Sequence, residues 1–216
     1  MEFQQVVDRR RMVRNFTGDP VDAAVRDRIL GNALHAPSAG FSQGWAFLVL
    51  ERAADRELFW RTTGADDATG DAEPNPWLEG MRRAPLLVVP LSHRDAYLDR
   101  YAEPDKGWTD RAEDRWPVPY WHIDTGMAAL LMLQTAVDAG LGACFFGIPP
   151  AYLAPFRAAF GVPDSYVPIG TIAIGHRAPD RTSPSLRRGR RGLPEVVHRG
   201  RWTSPRGHIS PSNDSK

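Results

Sequence analysis

Residues 121–139 constrain the fold more than any other stretch of this chain. Met127, Leu130, Leu131, Leu133, Ala136 and Val137 recur at helical spacing, and Gly140 ends the run. The apolar positions cover more than one face, so the spacing predicts a long helix that is central and buried. A chain of 216 residues can cover such a helix within one large domain or two small ones.

Around that helix the pattern predicts further helices at 3–10, 21–35, 55–62, 77–83 and 152–160. Apolar runs at 45–50, 85–91, 143–146 and 167–174 read as strands, with one more strand at 195–198. Residues 36–40 and 66–76 read as loops, and 203–216 as a disordered tail after a domain spanning 1–202. Helices and strands mix without strict βαβ alternation, which predicts an α+β layer fold. Residues 92–120 have no clean period. They hold Tyr97, Tyr101, Trp108, Trp116 and Tyr120 among charges and three prolines, and such long irregular segments inside a domain are usually functional.

Composition narrows the function. The net charge is +1, so the chain as a whole is no polycation seeking nucleic acid, although 177–206 carries nine arginines. Cys144 is the only cysteine, which rules out an intrachain disulfide and points to a reducing compartment. The first residues lack a signal-peptide pattern and no run of 18 apolar residues exists, so the expectation is a cytoplasmic protein that spans no membrane. No HExxH, CxxC or carboxylate cluster predicts a metal site, and no GxSxG, Walker A or GxGxxG motif is present. His93 and His122 read either as proton donors or as structural histidines. Cys144 reads as a buried spectator, since no His/Asp partner is adjacent.

Five segments carry the chemistry. Arg9-Arg10-Arg11-Met12-Val13-Arg14 packs four guanidinium forks into six positions, a match for phosphate or carboxylate oxygens. Pro37-Ser38-Ala39-Gly40-Phe41-Ser42-Gln43-Gly44-Trp45 is a loop of small residues entering a strand. Gly140–Pro149 contains Phe145-Phe146-Gly147, Pro168–Gly175 is a glycine-bounded strand, and Arg187, Arg188, Arg190 and Arg191 form a late basic cluster. In this order, over about residues 3–200, they resemble the flavin-dependent nitroreductase family.

The resemblance implies a central, mostly antiparallel sheet flanked by helices and a long buried helix. It also implies an obligate homodimer with FMN in the interface and both subunits contributing. By that resemblance Arg10 and Arg11 hold the FMN phosphate, and Arg14 reaches the pyrimidine edge, where reduced flavin gathers negative charge. Arg190 and Arg191, with Arg188 an alternative, complete the phosphate site. Pro37, Ser38, Ala39, Gly40 and Gln43 line the ring or ribityl chain, and the backbone of Phe146 and Gly147 faces flavin N5. Met12 stands where the family has serine, Phe41 where it has asparagine and Gly44 where it has proline. The segment 92–120 takes the place of the family's variable lid, so Tyr97, Tyr101, Trp108 and Trp116 are candidate contacts for a small planar substrate, or else dimer packing. No catalytic side chain is implied, because the flavin carries the chemistry.

The implied activity is hydride transfer from NAD(P)H through FMN to a nitroaromatic, quinone or activated alkene. The substitutions at Met12 and Phe41 motivate an alternative, a flavin-binding or sequestering protein of the same fold with little turnover. The late arginines lack the stacking aromatics that a nucleic-acid surface would need.

Overall fold

In the computed structural model, which describes residues 1–64, 75–180 and 183–202, the sheet is built around one strand. The loop expected at 66–76 falls almost wholly outside the described residues, and the tail expected at 203–216 entirely so. Strand β2 (Leu86–His93) is buried along nearly its whole length because helices cover both sheet faces. Its antiparallel partner on one side is β1 (Trp45–Leu50), with Leu48 opposite Val89. On the other side β2 pairs with β4 (Tyr166–Pro168) and then β5 (Thr171–Gly175), and β3 (Gly142–Phe146) closes the order β1-β2-β5-β3. Every strand pair is antiparallel.

The single strand expected at 167–174 is therefore two. The ladder with β2 runs through Leu91↔Pro168, then resumes at Val88↔Ile172, and Pro90 lies in the gap. Proline offers no N–H to a ladder, so the interruption falls where β2 lacks a donor.

Alternation along β2 makes two cores. Leu87, Val89 and Leu91 face Phe59 and Trp60 of α3 (Ala53–Thr62), Met81 of α4 (Pro76–Arg82) and Phe156 of α7 (Leu153–Phe160). Leu86 and Val88 face Ile29 and Ala33 of α2 (Ala23–Ala33) and Ala129, Met132 and Ala136 of α6 (Tyr120–Asp138). Helix α6 is the expected long helix, but it is not covered all round in this chain. Tyr120, Ile123 and Leu130 are 38%, 43% and 44% exposed, an apolar stripe at helical spacing facing away from the sheet. Beside it packs α1 (Phe3–Arg9), with Phe3 and Val7 exposed.

The outer edge of β3 is covered by the chain leaving α1. Met12 forms a parallel bridge with Ala143, and the Val13 N–H donates to the Ala143 carbonyl at 3.0 Å. Phe16 then bridges Arg177 just past β5. An edge strand needs such cover to avoid pairing elsewhere. It also pins the arginine run beside the sheet.

Two elements differ from the sequence pattern. The aperiodic 92–120 segment begins with the last residues of β2 and a short helix, α5 (Arg94–Tyr101). Only Tyr97 and Leu98 of α5 are buried, so its charged positions hide the helical period. The strand expected at 195–198 is instead a short helix, α8 (Leu193–Val196). Pro194 is preset for a first helical turn, and the Gly192 N–H donates to Glu195 Oε1 at 2.7 Å. This helix belongs to a second compact unit, residues 181–216, separate from the unit of residues 1–180.

Candidate functional site

The arginine run is a cluster of cations with few partners. Elsewhere in the chain arginines meet carboxylates: Arg26 meets Glu51 at 2.7 Å, Arg52 meets Asp55 at 2.7 Å and Arg100 meets Asp105 at 2.7 Å. Among the described residues Arg10 and Arg11 have no ion pair and no side-chain hydrogen bond. Arg14 donates from Nη1 only to the Met12 carbonyl, at 3.3 Å. Its backbone is held separately, the Arg14 N–H donating to Asp180 Oδ2 at 2.8 Å and Asn15 Nδ2 to the Pro179 carbonyl at 2.6 Å. Arg177, which the sequence reading did not single out, donates from Nε and Nη2 to the Leu141 carbonyl at 3.1 and 3.0 Å. Burial first, then the charges of Arg11 and Arg9, push its guanidinium below the ordinary arginine value. Guanidiniums without carboxylate partners, on a backbone held in place, have the chemistry to meet an anion.

Met12 has a local task that explains a thioether there. Its Sδ accepts the Phe145 N–H at 3.4 Å, so the half-buried side chain lies against β3 and satisfies an edge donor. Cys144, one strand position earlier, is buried and its thiol is pushed up to about 11 by burial, with Arg14 pulling the other way. Burial and the raised thiol both keep Cys144 in the unreactive protonated form at neutral pH.

At the end of β3, Phe146 turns its ring into the core, stacked on Trp60 with centroids 5.6 Å apart and planes 6° from parallel. Gly147 follows, exposed, with open space where a Cβ would lie. Behind them is a cavity of about 220 Å³ walled by Trp60, Trp77, Phe146 and Tyr152.

The loop after α2 forms the second half of the candidate site. Gly40, Phe41 and Gln43 all have positive φ, at 61°, 55° and 50°. The left-handed region costs a residue with a Cβ about 1–2 kcal/mol, so two non-glycine residues there mark a loop held against its own preference. The hold is visible. The Gln43 N–H donates to Ser38 Oγ at 2.8 Å, Ser42 Oγ donates to the Ala39 carbonyl at 2.7 Å, and Arg100 Nε donates to the Gly40 carbonyl at 3.0 Å. The Ala39 N–H donates to Asp124 Oδ2 at 2.8 Å. Pro37, Phe41 and Gln43 are exposed, Phe41 by 74%. Gly44 is required by close packing: a Cβ there would come within 2.5 Å of the Tyr97 ring and 2.6 Å of the His93 carbonyl.

That packing changes the reading of Tyr97. The ring has no exposed surface, and its hydroxyl donates to Asp124 Oδ2 at 2.8 Å. Burial pushes the phenol above its ordinary range. Tyr97 therefore leaves the set of candidate substrate contacts. It supports the loop instead. Tyr101, Trp108 and Trp116 do form a partly exposed cluster, with Trp116 at its centre 4.6 Å from Tyr101 and 5.5 Å from Trp108. Nearby, Ser92 Oγ lies 2.7 Å from His122 Nδ1, and burial holds the imidazole below its usual value.

The structure brings some of the expected residues together and leaves others apart. The strip holding Arg10, Arg11, Met12 and Arg14 runs beside β3, bridged at Met12–Ala143, with Phe146 and Gly147 at the C-terminal end of that strand, whereas Ser38–Gln43 leads into β1 at the opposite edge of the sheet. Three interstrand spacings separate those edges, about 14 Å. Arg190 and Arg191 lie in the unit 181–216, where Arg191 Nε is 3.5 Å from Glu195 Oε2 and Arg190 is exposed. Asp124 was missed, although a carboxylate inside an apolar helix was a legible signal.

Residues 7–176 match the model of the nitroreductase family. A Methanothermobacter thermautotrophicus protein provisionally named NADH dehydrogenase/NAD(P)H nitroreductase is 23% identical over 207 residues, covering 94% of this chain and 88% of its own. A provisionally named nitroreductase from Desulfovibrio desulfuricans, solved in complex with FMN, superposes with a TM-score of 0.67 at 22% identity, covering 94% of this chain and 99% of that one. NfrA2 of B. megaterium gives a TM-score of 0.71 at 18% identity, over 94% of this chain and 76% of its own.

Proposed function

Since this chain belongs to the nitroreductase family, we propose that it is an FMN-dependent oxidoreductase working as a homodimer. FMN held by this chain's residues would supply hydride transfer from NAD(P)H to a small electrophile such as a nitroaromatic, a quinone or an activated alkene. The observation that carries this reading is the set of unpartnered guanidiniums on the strip beside β3. Those residues fit the cofactor: a phosphate monoester supplies the anion that Arg10 and Arg11 lack, each charge-assisted hydrogen bond being worth roughly 1.5–3 kcal/mol. Arg14 keeps a cation near β3, where it favours an anionic over a neutral ring. The exposed, side-chain-free Gly147 leaves the backbone accessible to a flat group.

The two separated halves support the homodimer. Loop 38–43 and the arginine strip lie at opposite edges of one sheet, and in the proposed dimer a second copy would bring its loop to each strip. The exposed stripe Tyr120, Ile123 and Leu130 on α6, with Phe3 and Val7 of α1, is the surface such a copy would cover. Tyr101, Trp108 and Trp116 would then flank the substrate.

Purification tests the reading directly. The protein should carry flavin absorbance, bleach anaerobically with NADH or NADPH, and lose its flavin in the double variant Arg10→Ala/Arg14→Ala while keeping its circular dichroism. A colourless protein that takes up no added FMN overturns the proposal. Flavin that neither nicotinamide reduces would leave the sequestering role.

A further inference from the structure

Beneath loop 38–43 sits a carboxylate that the reading above does not use. Asp124 is 2% exposed on α6, and its Oδ2 accepts two hydrogen bonds, from the Ala39 N–H and the Tyr97 hydroxyl, each 2.8 Å long. Tyr97 Oη is also 3.4 Å from Ser38 Oγ, which in turn accepts the Gln43 N–H at 2.8 Å. A chain of bonds thus runs from the buried helix to Gln43, whose φ is 50°. Among the described residues no arginine, lysine or histidine pairs with Asp124. A buried carboxylate without a cation is disfavoured unless its bonds are needed, and here both its donors act on one loop.

We propose that Asp124 is a positioning residue that holds loop 38–43 in its ligand-ready shape before any ligand arrives. The left-handed Phe41 and Gln43 are the conformations most prone to relax once the hold is removed. With the loop already ordered, a ligand does not have to order it, and its affinity rises accordingly. The identity of that ligand as FMN rests on the function proposed above; the hold on the loop does not.

Two measurements test the inference. In flavin-free protein, amide hydrogen exchange resolved by NMR reports the Ala39 and Gln43 N–H groups without reference to activity. Asp124→Ala should speed both at least about tenfold and raise the FMN Kd, read from flavin fluorescence quenching, at least about tenfold. Asp124→Asn should restore both to within about threefold, because one amide oxygen in place of Oδ2 can accept both bonds. Wild-type exchange rates in Asp124→Ala, or no rescue by asparagine, would overturn the proposal. If Asp124→Ala does not fold, Tyr97→Phe removes a single hydroxyl and should speed Gln43 exchange and weaken FMN in the same direction. Unchanged values there would also overturn it. A wild-type protein that takes up no FMN would sink the flavin reading, while the exchange data would still decide the role of Asp124.

Discussion

Gly80→Ala separates local propensity from tertiary contact at the strip that carries the arginines. Gly80 lies within α4, where alanine is normally better than glycine by roughly 0.5–1 kcal/mol. Here a Cβ would fall 2.2 Å from the Arg14 carbonyl oxygen and 3.2 Å from the Asn15 Cα. The neighbour is backbone, pinned by Asp180 and Pro179, so it cannot swing aside as a side-chain end would. Overpacking of this kind costs about 1–3 kcal/mol, and a contact this short against backbone belongs at the upper end. The net expectation is a loss of about 2 kcal/mol, or a Tm roughly 4–8 °C lower at 2–4 °C per kcal/mol for a chain of this size. Gly31→Ala is the matched control. Gly31 is also helical, in α2, and has nothing within 4 Å of an added Cβ, so that variant should gain about 0.5–1 kcal/mol. Urea unfolding followed by circular dichroism, read from the midpoint at unchanged slope, gives both values. Because Gly80→Ala displaces Arg14, it should also weaken FMN binding, which Gly31→Ala should leave alone. If both variants are stabilised alike, the close packing of α4 on the arginine strip is wrong.

Two further outcomes follow from the surface and the core. Leu130→Asp places a carboxylate on the exposed α6 stripe, where it costs a free chain only about 0.5–1 kcal/mol of helix propensity and partial burial but loses its water against a second copy. Light scattering should show dimerisation weakened about a hundredfold, about 3 kcal/mol, with flavin lost in step; a stable dimer would remove α6 from the interface. Cys144 should stay unmodified by a thiol reagent at pH 8 until the protein unfolds, since a thiol pushed up to about 11 is ionised to only about 0.1% there. The sign of its linkage is set by the same shift: the folded state retains the proton, so this group's contribution is lost as the pH climbs from about 9 towards 11. Prompt native labelling would contradict the burial.

Much of the fold was legible because strong periods survive translation from sequence to structure. Trp45–Leu50, Leu86–His93 and Tyr120–Asp138 are long or apolar enough that no competing pattern fits them. The errors sit where a neighbour overrides the local signal. Pro90 on β2 divides a strand elsewhere in the chain, and buried Tyr97 makes α5 part of the loop's support rather than an open substrate surface. At the candidate site, residue identities could be read along the chain, but their partners could not. Gly44 in place of proline has its reason in a Tyr97 ring 53 residues away, and Met12 in place of serine has its reason in an N–H on β3.

The amino-acid order alone determined the layered α+β class, the family resemblance and the residue types that meet an anion, because these depend on local spacing and side-chain chemistry. Tertiary structure decided which of those residues share a place. Strand order put the arginines and loop 38–43 on opposite edges, and the burial of Asp124 beneath the loop gave α6 a second task. Both are consequences of long-range packing: a periodic apolar face says that a helix must be covered, and only the folded chain says by what.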